Sequence, residues 1–129
     1  MKFLALVPLS CAVILLGACA SAPTFGSADD KALEPVRKAH QDCLQQQISA
    51  LINGSDDVGL LTEHIVGLCD PALMPAADYL SKRGFSRHYI GQFINEKRRI
   101  GADATADVIL RVKSRQNESA PSTGSAPSM

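Results

Sequence analysis

Apolar residues recur at intervals of three and four through most of residues 29–115, which is the spacing of one face of an α-helix. The composition agrees with this pattern, because the chain has no Trp, two Tyr and four Phe and must build its core mainly from Leu, Ile, Val and Ala. A chain of 129 residues leaves room for only one small domain once its two ends are set aside. We therefore predict an all-α fold, a small bundle of three to four helices.

Two helices are predicted in the first half of this domain. The first has acidic residues at its start and ends at Asn53-Gly54. Pro35 fits best in a first helical turn, which leaves open a separate short turn over residues 29–34. Ser55 is the predicted N-cap of the second helix, and two aspartates follow it in the first turn. The defining apolar positions are Val36, Cys43, Leu44, Ile48, Leu51 and Ile52, then Val58, Leu61, Ile65 and Leu68.

Two further helices are predicted in the second half. Asp70-Pro71 ends the second helix and caps a short third one, whose start Pro75 delays and which Gly84 closes. Ser86 is the predicted N-cap of a long fourth helix that runs to about Lys113. Glycines at positions 91 and 101 of this helix predict a close approach by a neighbouring helix. The apolar positions are Leu73, Ala76, Ala77 and Leu80, then Ile90, Phe93, Ile94, Ile100, Ala104 and Val108.

The first 18 residues have the composition of an export signal. A positive charge at Lys2 precedes an apolar stretch over residues 3–16, and small residues follow it. This stretch is interrupted by Pro8 and Ser10 and is too short to cross a membrane as a helix. Residues 1–18 are therefore predicted to be a signal peptide that is removed.

The segment Leu15-Leu16-Gly17-Ala18-Cys19 resembles the lipobox of bacterial lipoprotein precursors. The resemblance implies cleavage before Cys19, a diacylglyceryl group on its thiol and an acyl chain on its amine. Several such chains hold a protein stably at a membrane. Ala20, where Asp would signal retention at the inner membrane, implies sorting to the outer membrane, facing the periplasm. Two alternatives stay open: Cys11 as the lipid acceptor, and an ordinary secretory signal that leaves Cys19 a free thiol.

Both ends of the domain lack a hydrophobic face. Residues 19–28 are rich in Ser, Ala, Gly and Pro and are predicted to be a lipidated tether with a reach of roughly 15–18 Å. Residues 116–129 repeat Ser, Ala and Pro and are predicted to be a disordered tail. These limits leave residues 29–115 as the small helical domain.

Cys43 and Cys69 are the two cysteines that remain in this domain. An exported protein reaches an oxidising compartment, and a helical hairpin that turns at Gly54 brings the two positions close together. We predict a structural disulfide between them. The alternatives are a redox pair, disfavoured because there is no C-x-x-C motif, and free or metal-bound thiols. A metal site would need His40 and Cys43, which share a helix face, with His64 and Cys69 to complete it, but positions 64 and 69 lie about 140° apart around a helix, so no metal site is expected.

The sequence contains none of the motifs that combine a nucleophile with a base, such as G-x-S-x-G, H-E-x-x-H or S-x-x-K, and no glycine-rich phosphate loop. The acidic pairs Asp29-Asp30 and Asp56-Asp57 stand at predicted helix starts, where interaction with the helix dipole explains them. We therefore expect no enzymatic activity, no cofactor and no pocket that joins His40, His64 or His88 to carboxylates.

Charge is distributed unevenly between the two halves of the domain. Residues 27–80 contain three Lys or Arg and nine Asp or Glu, whereas residues 81–115 contain nine and three. One interpretation is that the two halves pair, each surface pair contributing about 0–1 kcal/mol. The other is a basic face that binds anionic lipid headgroups, an anionic envelope polymer or an acidic envelope protein. Nucleic acid is not expected, because aromatic stacking residues are missing beside the basic ones. The predicted face consists of Lys82, Arg83, Arg87, Lys97, Arg98, Arg99, Arg111 and Lys113.

Two functions fit this organisation. The first is a non-catalytic envelope lipoprotein that acts through contacts with a protein or polymer. The second is a small periplasmic chaperone or stress-response protein, because the predicted domain resembles the acid-stress chaperones of the enteric periplasm in being small, helical and clamped by one disulfide. Those chaperones are freely soluble and their cysteine spacing differs, so we expect the first function. A chaperone of that kind would expose apolar surface below about pH 4, where carboxylates protonate.

Overall fold

The computed structural model describes residues 21–119, which are mostly helical. Residues 1–20 and 120–129, which include the predicted signal peptide, Cys19 and most of the predicted tail, lie outside the described residues. The helices are α1 (Ser27–Leu51), α2 (Val58–Cys69), α3 (Met74–Lys82) and α4 (Arg87–Ser119), and a 3-10 helix at Asp70–Leu73 joins α2 to α3. The predicted all-α bundle of three to four helices with one disulfide is confirmed.

Helix α1 is continuous through Pro35, so the separate turn considered for residues 29–34 does not form. A proline inside a helix removes the hydrogen bond to the carbonyl four residues earlier, here that of Lys31. Pro35 and Lys31 are both exposed, and water can therefore serve this carbonyl. The buried side chains of Leu33 and His40 hold the helix in place on either side of the proline.

The N-cap of α2 is Asp57 rather than the predicted Ser55. The Asp57 carboxylate accepts a hydrogen bond from the backbone N–H of Leu60 at 2.9 Å. The hydroxyl of Ser55 accepts a hydrogen bond from the backbone N–H of Asp57 at 3.1 Å, so it orders the turn that precedes the cap. Ser and Asp both favour N-cap positions, and the local sequence therefore does not decide between them.

The turn between α3 and α4 forms as predicted. Gly84 adopts a φ of +86°, and the backbone N–H of Phe85 donates to the carbonyl of Leu80 at 3.1 Å, which closes α3. The hydroxyl of Ser86 accepts a hydrogen bond from the N–H of Tyr89 at 3.1 Å and caps α4.

Helix α4 runs to Ser119, past the predicted end at about Lys113, so residues 116–119 of the predicted tail are helical. The sequence has no glycine or proline between Lys113 and Ser119, and it supplies Arg, Gln and Glu, which favour helix. The hydroxyl of Ser119 donates to the carbonyl of Arg115 at 2.9 Å in the last turn.

The helices enclose two hydrophobic clusters. The first contains Leu33, Ala76, Leu80 and Phe85, and the second contains Leu44, Ile48, Leu61, Ile65, Val66, Cys69 and Ile109. Helices α1 and α4 run in the same direction, because residues early in both helices belong to the first cluster and its surroundings, and residues late in both belong to the second.

The disulfide between Cys43 and Cys69 joins the middle of α1 to the end of α2, with the two Cα atoms 5.8 Å apart. Cys69 is fully buried in the second cluster. The predicted pairing is therefore confirmed. Closing a loop of this length stabilises the fold by about 3.5 kcal/mol through the lower entropy of the unfolded chain.

The predicted tether over residues 19–28 is shorter than expected, because Phe25 packs against the domain. Its ring centroid lies 5.7 Å from that of Phe93 and 6.4 Å from that of Phe85. Ser27 and Ala28 already belong to α1. Residues 25–28 of the predicted tether therefore belong to the packed domain.

Candidate functional site

Most residues of the predicted basic face form salt bridges. Three of these bridges join the basic half of the domain to the acidic half: Arg83 with Asp29 at 2.9 Å, Arg98 with Asp70 at 2.7 Å, and Lys113 with Asp56 at 3.5 Å. Two more residues pair within α4: Arg99 with Glu96 and Asp103, and Arg111 with Asp107. Salt bridges therefore neutralise much of the positive charge in the predicted basic face, in agreement with the interpretation in which the two halves pair.

The predicted basic residues also do not lie on one face. Lys97, Arg98 and Arg99 follow one another at steps of about 100° around α4. Lys97 lines a cleft between α1 and α4, whereas Arg98 and Arg99 line a groove between α2 and α4. Within residues 21–119, the predicted face residues without a carboxylate in salt-bridge range are Lys82, Arg87 and Lys97.

A buried carboxylate joins the start of α1 to the end of α3. Asp29 is 1% exposed and accepts hydrogen bonds from Arg83 Nε at 2.9 Å, the Tyr79 hydroxyl at 2.8 Å and the Gly26 N–H at 3.0 Å. The hydrogen bond from Arg83 is the largest of the effects that lower the pKa of Asp29 to about 2, and the other two add to it. The sequence indicated Asp29 as a helix-start carboxylate, but it offers no signal for partners 50 and 54 positions away.

His40 of α1 is buried, at 5% exposure, against Gly101 of α4. A Cβ atom on Gly101 would lie 2.9 Å from Cε1 of His40 and 3.2 Å from Cδ1 of Leu44, so glycine permits this contact. The close approach predicted at Gly101 is confirmed. The same prediction is wrong at Gly91, where a Cβ atom would meet nothing within 4 Å among the described residues.

One nitrogen of the His40 imidazole is buried without a hydrogen bond. Its Nε2 atom is buried and has no hydrogen-bond partner among residues 21–119, and the same is true of the hydroxyl of Thr105, one turn after Gly101. Burial lowers the pKa of His40, and the negative charge of Asp70 opposes this shift in part. The imidazole is therefore neutral at pH 7, with one nitrogen that can donate a hydrogen bond and one that can accept.

The His40 ring borders a cleft of about 160 Å³ between α1 and α4. Apolar side chains form most of its surface, among them Leu33, Val36, Leu44, Phe93, Ile100 and Ala104. Two cations also line it. The Nζ atom of Lys97 lies 5.1 Å from the centroid of the Phe93 ring, and Arg37 pairs with Glu34 at the surface.

The cleft also reaches the carboxylate of Asp30, so a pocket does join a histidine to a carboxylate, contrary to the expectation. Asp30 and His40 are ten residues apart in α1, which places them about 15 Å apart along the helix axis. A general acid and a general base must both come within hydrogen-bond reach of one substrate, and this separation exceeds that reach. The residues that line the cleft include no Ser, Thr or Cys to act as a nucleophile.

The metal site considered for His40, Cys43, His64 and Cys69 does not form, because the sulfurs of Cys43 and Cys69 are held in the disulfide. His64 is exposed on α2, whereas His40 is buried. In the part of the chain that the structure describes, no group of three or more His, Cys, Asp and Glu side chains is placed to hold a metal ion.

Comparison of the chain with protein-family models, with curated proteins and with solved structures gives no match. None of the helices between residues 21 and 119 combines the length and the apolar character needed to cross a membrane. The candidate site is therefore defined by the geometry of this chain. It is the cleft beside His40, which combines an apolar lining with a buried imidazole nitrogen that is unpaired within residues 21–119.

Proposed function

We propose that this protein is a non-catalytic lipoprotein of the bacterial envelope, held at the outer membrane by lipid on Cys19 and facing the periplasm. The observation that carries the proposal is the motif Leu15-Leu16-Gly17-Ala18-Cys19, placed directly after an apolar leader. Two features of the fold support it. The packed domain begins at Phe25, close behind Cys19, and the disulfide suits an oxidising compartment.

The domain is proposed to act by contact rather than by chemistry, because its cleft holds one histidine without an acid or a nucleophile in reach. Lys82 and Arg87 lie three residues before and two residues after Phe85, which Phe25 contacts, so these two cations stand at the end of the domain where the described chain begins. Cations within a Debye length of a membrane are attracted to anionic headgroups. We propose that they orient the domain on the lipid surface and leave the remaining surface for an acidic envelope protein or an anionic polymer.

The anchor is tested by metabolic labelling with an alkyne fatty acid in a Gram-negative host. The wild-type chain should take up the label and sediment with the membrane fraction. Cys19→Ser should abolish the label, because the thiol that accepts the diacylglyceryl group is gone. Solubility of the variant after export would show that the domain itself does not hold the membrane.

The matched control is Cys11→Ser, which removes the rival acceptor in the same leader. This variant should keep both the label and the sedimentation of the wild type. If Cys19→Ser stays labelled while Cys11→Ser loses its label, lipid is attached at the other cysteine. If neither change affects sedimentation and no chain is labelled, the anchoring proposal is wrong.

The alternative function, a small periplasmic chaperone or stress-response protein, is favoured by apolar side chains at the surface. Leu60 is 65% exposed, Met74 56% and Leu68 47%. Against it, the Asp29 carboxylate keeps its charge, and hence its bond to Arg83, down to about pH 2. Dye binding and protection of an aggregating client at pH 3 test this alternative. A domain that stays folded there and protects no client is not an acid-stress chaperone.

A further inference from the structure

Helix α2 turns an apolar face to the solvent. Its six exposed positions recur at the spacing of one helix face, and four of them are glycine or leucine. A helix on the surface of a small domain normally carries polar residues on its outer face. The six positions, which we call the α2 face, are Gly59, Leu60, Glu63, His64, Gly67 and Leu68.

Gly67 has no packing role inside the described domain. A Cβ atom at this position would meet nothing within 4 Å among residues 21–119. Glycine destabilises a helix interior relative to alanine, and it is useful there when another helix approaches closely, as α1 does at Gly101. Because no described helix approaches Gly67, a close approach at this position has to come from outside the domain.

The charges of the α2 face are complementary to themselves when two copies meet in parallel. At 100° a residue, Leu60 and Gly67 lie near the middle of the face, with Glu63 about 50° to one side and His64 about 50° to the other. Parallel helices place each side of one copy against the opposite side of the other, so Glu63 meets His64 twice. Antiparallel helices would instead bring Glu63 to Glu63. Neither residue forms a salt bridge within residues 21–119.

The lipid anchor requires the same direction, an argument that rests on the proposed function. Two chains attached through Cys19 to one membrane must both begin on the membrane side. A two-fold axis along α2 keeps the beginnings of both domains at one end of the pair. Antiparallel α2 helices would place them at opposite ends.

A second copy also fits the size of the α2 face. Residues 120–129 contain one large apolar side chain, that of Met129, so this segment cannot match two leucines. A contact along one face of a 12-residue helix lies in the range below about 1,200 Å² that weak and transient interfaces occupy. Attachment to one membrane raises the effective concentration of two chains, as a linker does. A weak pair can therefore form at the membrane.

We propose that the α2 face binds the same face of a second copy of this chain, with the two α2 helices parallel. Leu60 packs on Leu60 of the second copy, and the two backbones approach each other most closely at Gly67. The Glu63 carboxylate of each copy accepts a hydrogen bond from the His64 imidazole of the other. The pair is weak in solution and is promoted by the membrane.

The test measures self-association of the full mature chain in two forms. The exported Cys19→Ser chain is followed in solution by sedimentation equilibrium up to about 1 mM. The lipidated chain is followed on phosphatidylcholine vesicles by energy transfer between two labelled populations. Both forms should associate. Because the solution form does not need lipid, this test and the labelling experiment can fail separately.

Two variants test the contact itself. Leu60→Glu and Gly67→Leu should each weaken association about ten-fold or more, because the first removes apolar burial in both copies and the second holds the helices apart. Gly91→Leu is the matched control, since Gly91 is an exposed helical glycine with equally open surroundings, and it should associate like wild type. Circular dichroism should show all three variants folded, because all three positions are exposed.

A charge exchange tests the direction of the helices. Glu63→Lys places a cation beside His64 of the second copy, and His64→Glu places two carboxylates together, so each change should weaken association about five-fold. The double variant restores one cation and one carboxylate at each contact and should recover the affinity of wild type.

The proposal is overturned if the chain stays monomeric in both forms, if Leu60→Glu associates like wild type, or if the double variant does not recover association. If Leu60→Glu leaves self-association unchanged but lowers the binding of the Cys19→Ser chain to vesicles, the α2 face binds lipid and the proposal is also wrong.

Discussion

Replacing Gly101 by alanine adds one methyl group where α4 faces the ring of His40. The new Cβ atom would lie 2.9 Å from Cε1 of His40 and 3.2 Å from Cδ1 of Leu44. The ring is buried and cannot simply swing into solvent, so either the helices separate or the ring leaves its position. Gly91 provides the matched control, because it lies in the same helix and a Cβ atom there meets nothing within 4 Å among the described residues.

Two effects of opposite sign act at Gly101. Alanine stabilises a helix interior by about 1 kcal/mol relative to glycine, and overpacking a core destabilises it by about 1–3 kcal/mol. The expected net result of Gly101→Ala is a loss of about 0–2 kcal/mol in the free energy of unfolding. Gly91→Ala experiences only the first effect and should gain about 1 kcal/mol.

The background variant His40→Ala isolates the contact. Without the imidazole, Gly101→Ala should become stabilising by about 1 kcal/mol, so its sign should reverse. Urea unfolding followed by circular dichroism on wild type, both single variants and the double variant gives the coupling free energy, expected at about 1–3 kcal/mol. Equal effects of Gly101→Ala in the two backgrounds would refute the contact between His40 and α4.

Three further predictions concern the framework around the cleft. Replacing Cys43 and Cys69 together by alanine should lower the free energy of unfolding by about 3.5 kcal/mol in urea denaturation, and a loss under about 1 kcal/mol would contradict the entropic account. Because the pKa of Asp29 falls from 3.8 to about 2 on folding, its contribution to the stability of the fold is complete above about pH 4 and fades as the pH drops towards 2. The melting temperature of Asp29→Asn should therefore lie below that of wild type at pH 7, and the difference should narrow between pH 4 and pH 2. Asp57→Ala should lower the free energy of unfolding by about 1 kcal/mol, because it removes the N-cap, and Ser55→Ala should lower it clearly less. The opposite order would mean that Ser55 is the N-cap.

The helices could be predicted because their signals are local. The apolar period of α1, α2 and α4 needs only neighbours three and four positions away, and the turn at Gly84 and Ser86 needs only a left-handed residue followed by a capping hydroxyl. Errors arose where two local signals compete. Ser55 and Asp57 are both good N-caps, and Pro35 suits a first turn but is also tolerated on the exposed side of a longer helix.

Apart from the disulfide, the partners of distant residues could not be predicted. Asp29 is a good helix-start residue by itself, and nothing near it indicates Arg83 as its partner. Phe25 lies in a segment of Ser, Ala, Gly and Pro, so its packing on Phe93 has no periodic signal. The sequence did indicate a close helix contact at Gly101. It does not indicate that His40 lies opposite this glycine or that a cleft opens beside the ring, because both depend on how the three connections between the helices place α4 alongside α1.

The unpaired Nε2 atom of His40 lowers the stability of a domain of this size appreciably. Small domains are stable by about 5–15 kcal/mol, and one unpaired buried polar atom costs about 1–3 kcal/mol of that. His40→Leu, which keeps the bulk and removes the polar atom, should therefore raise the free energy of unfolding by about 1 kcal/mol or more. Urea unfolding of the variant and the wild type measures this difference. A His40→Leu variant that is less stable than wild type would mean that the packing of the imidazole against α4 outweighs the cost of its unpaired Nε2 atom.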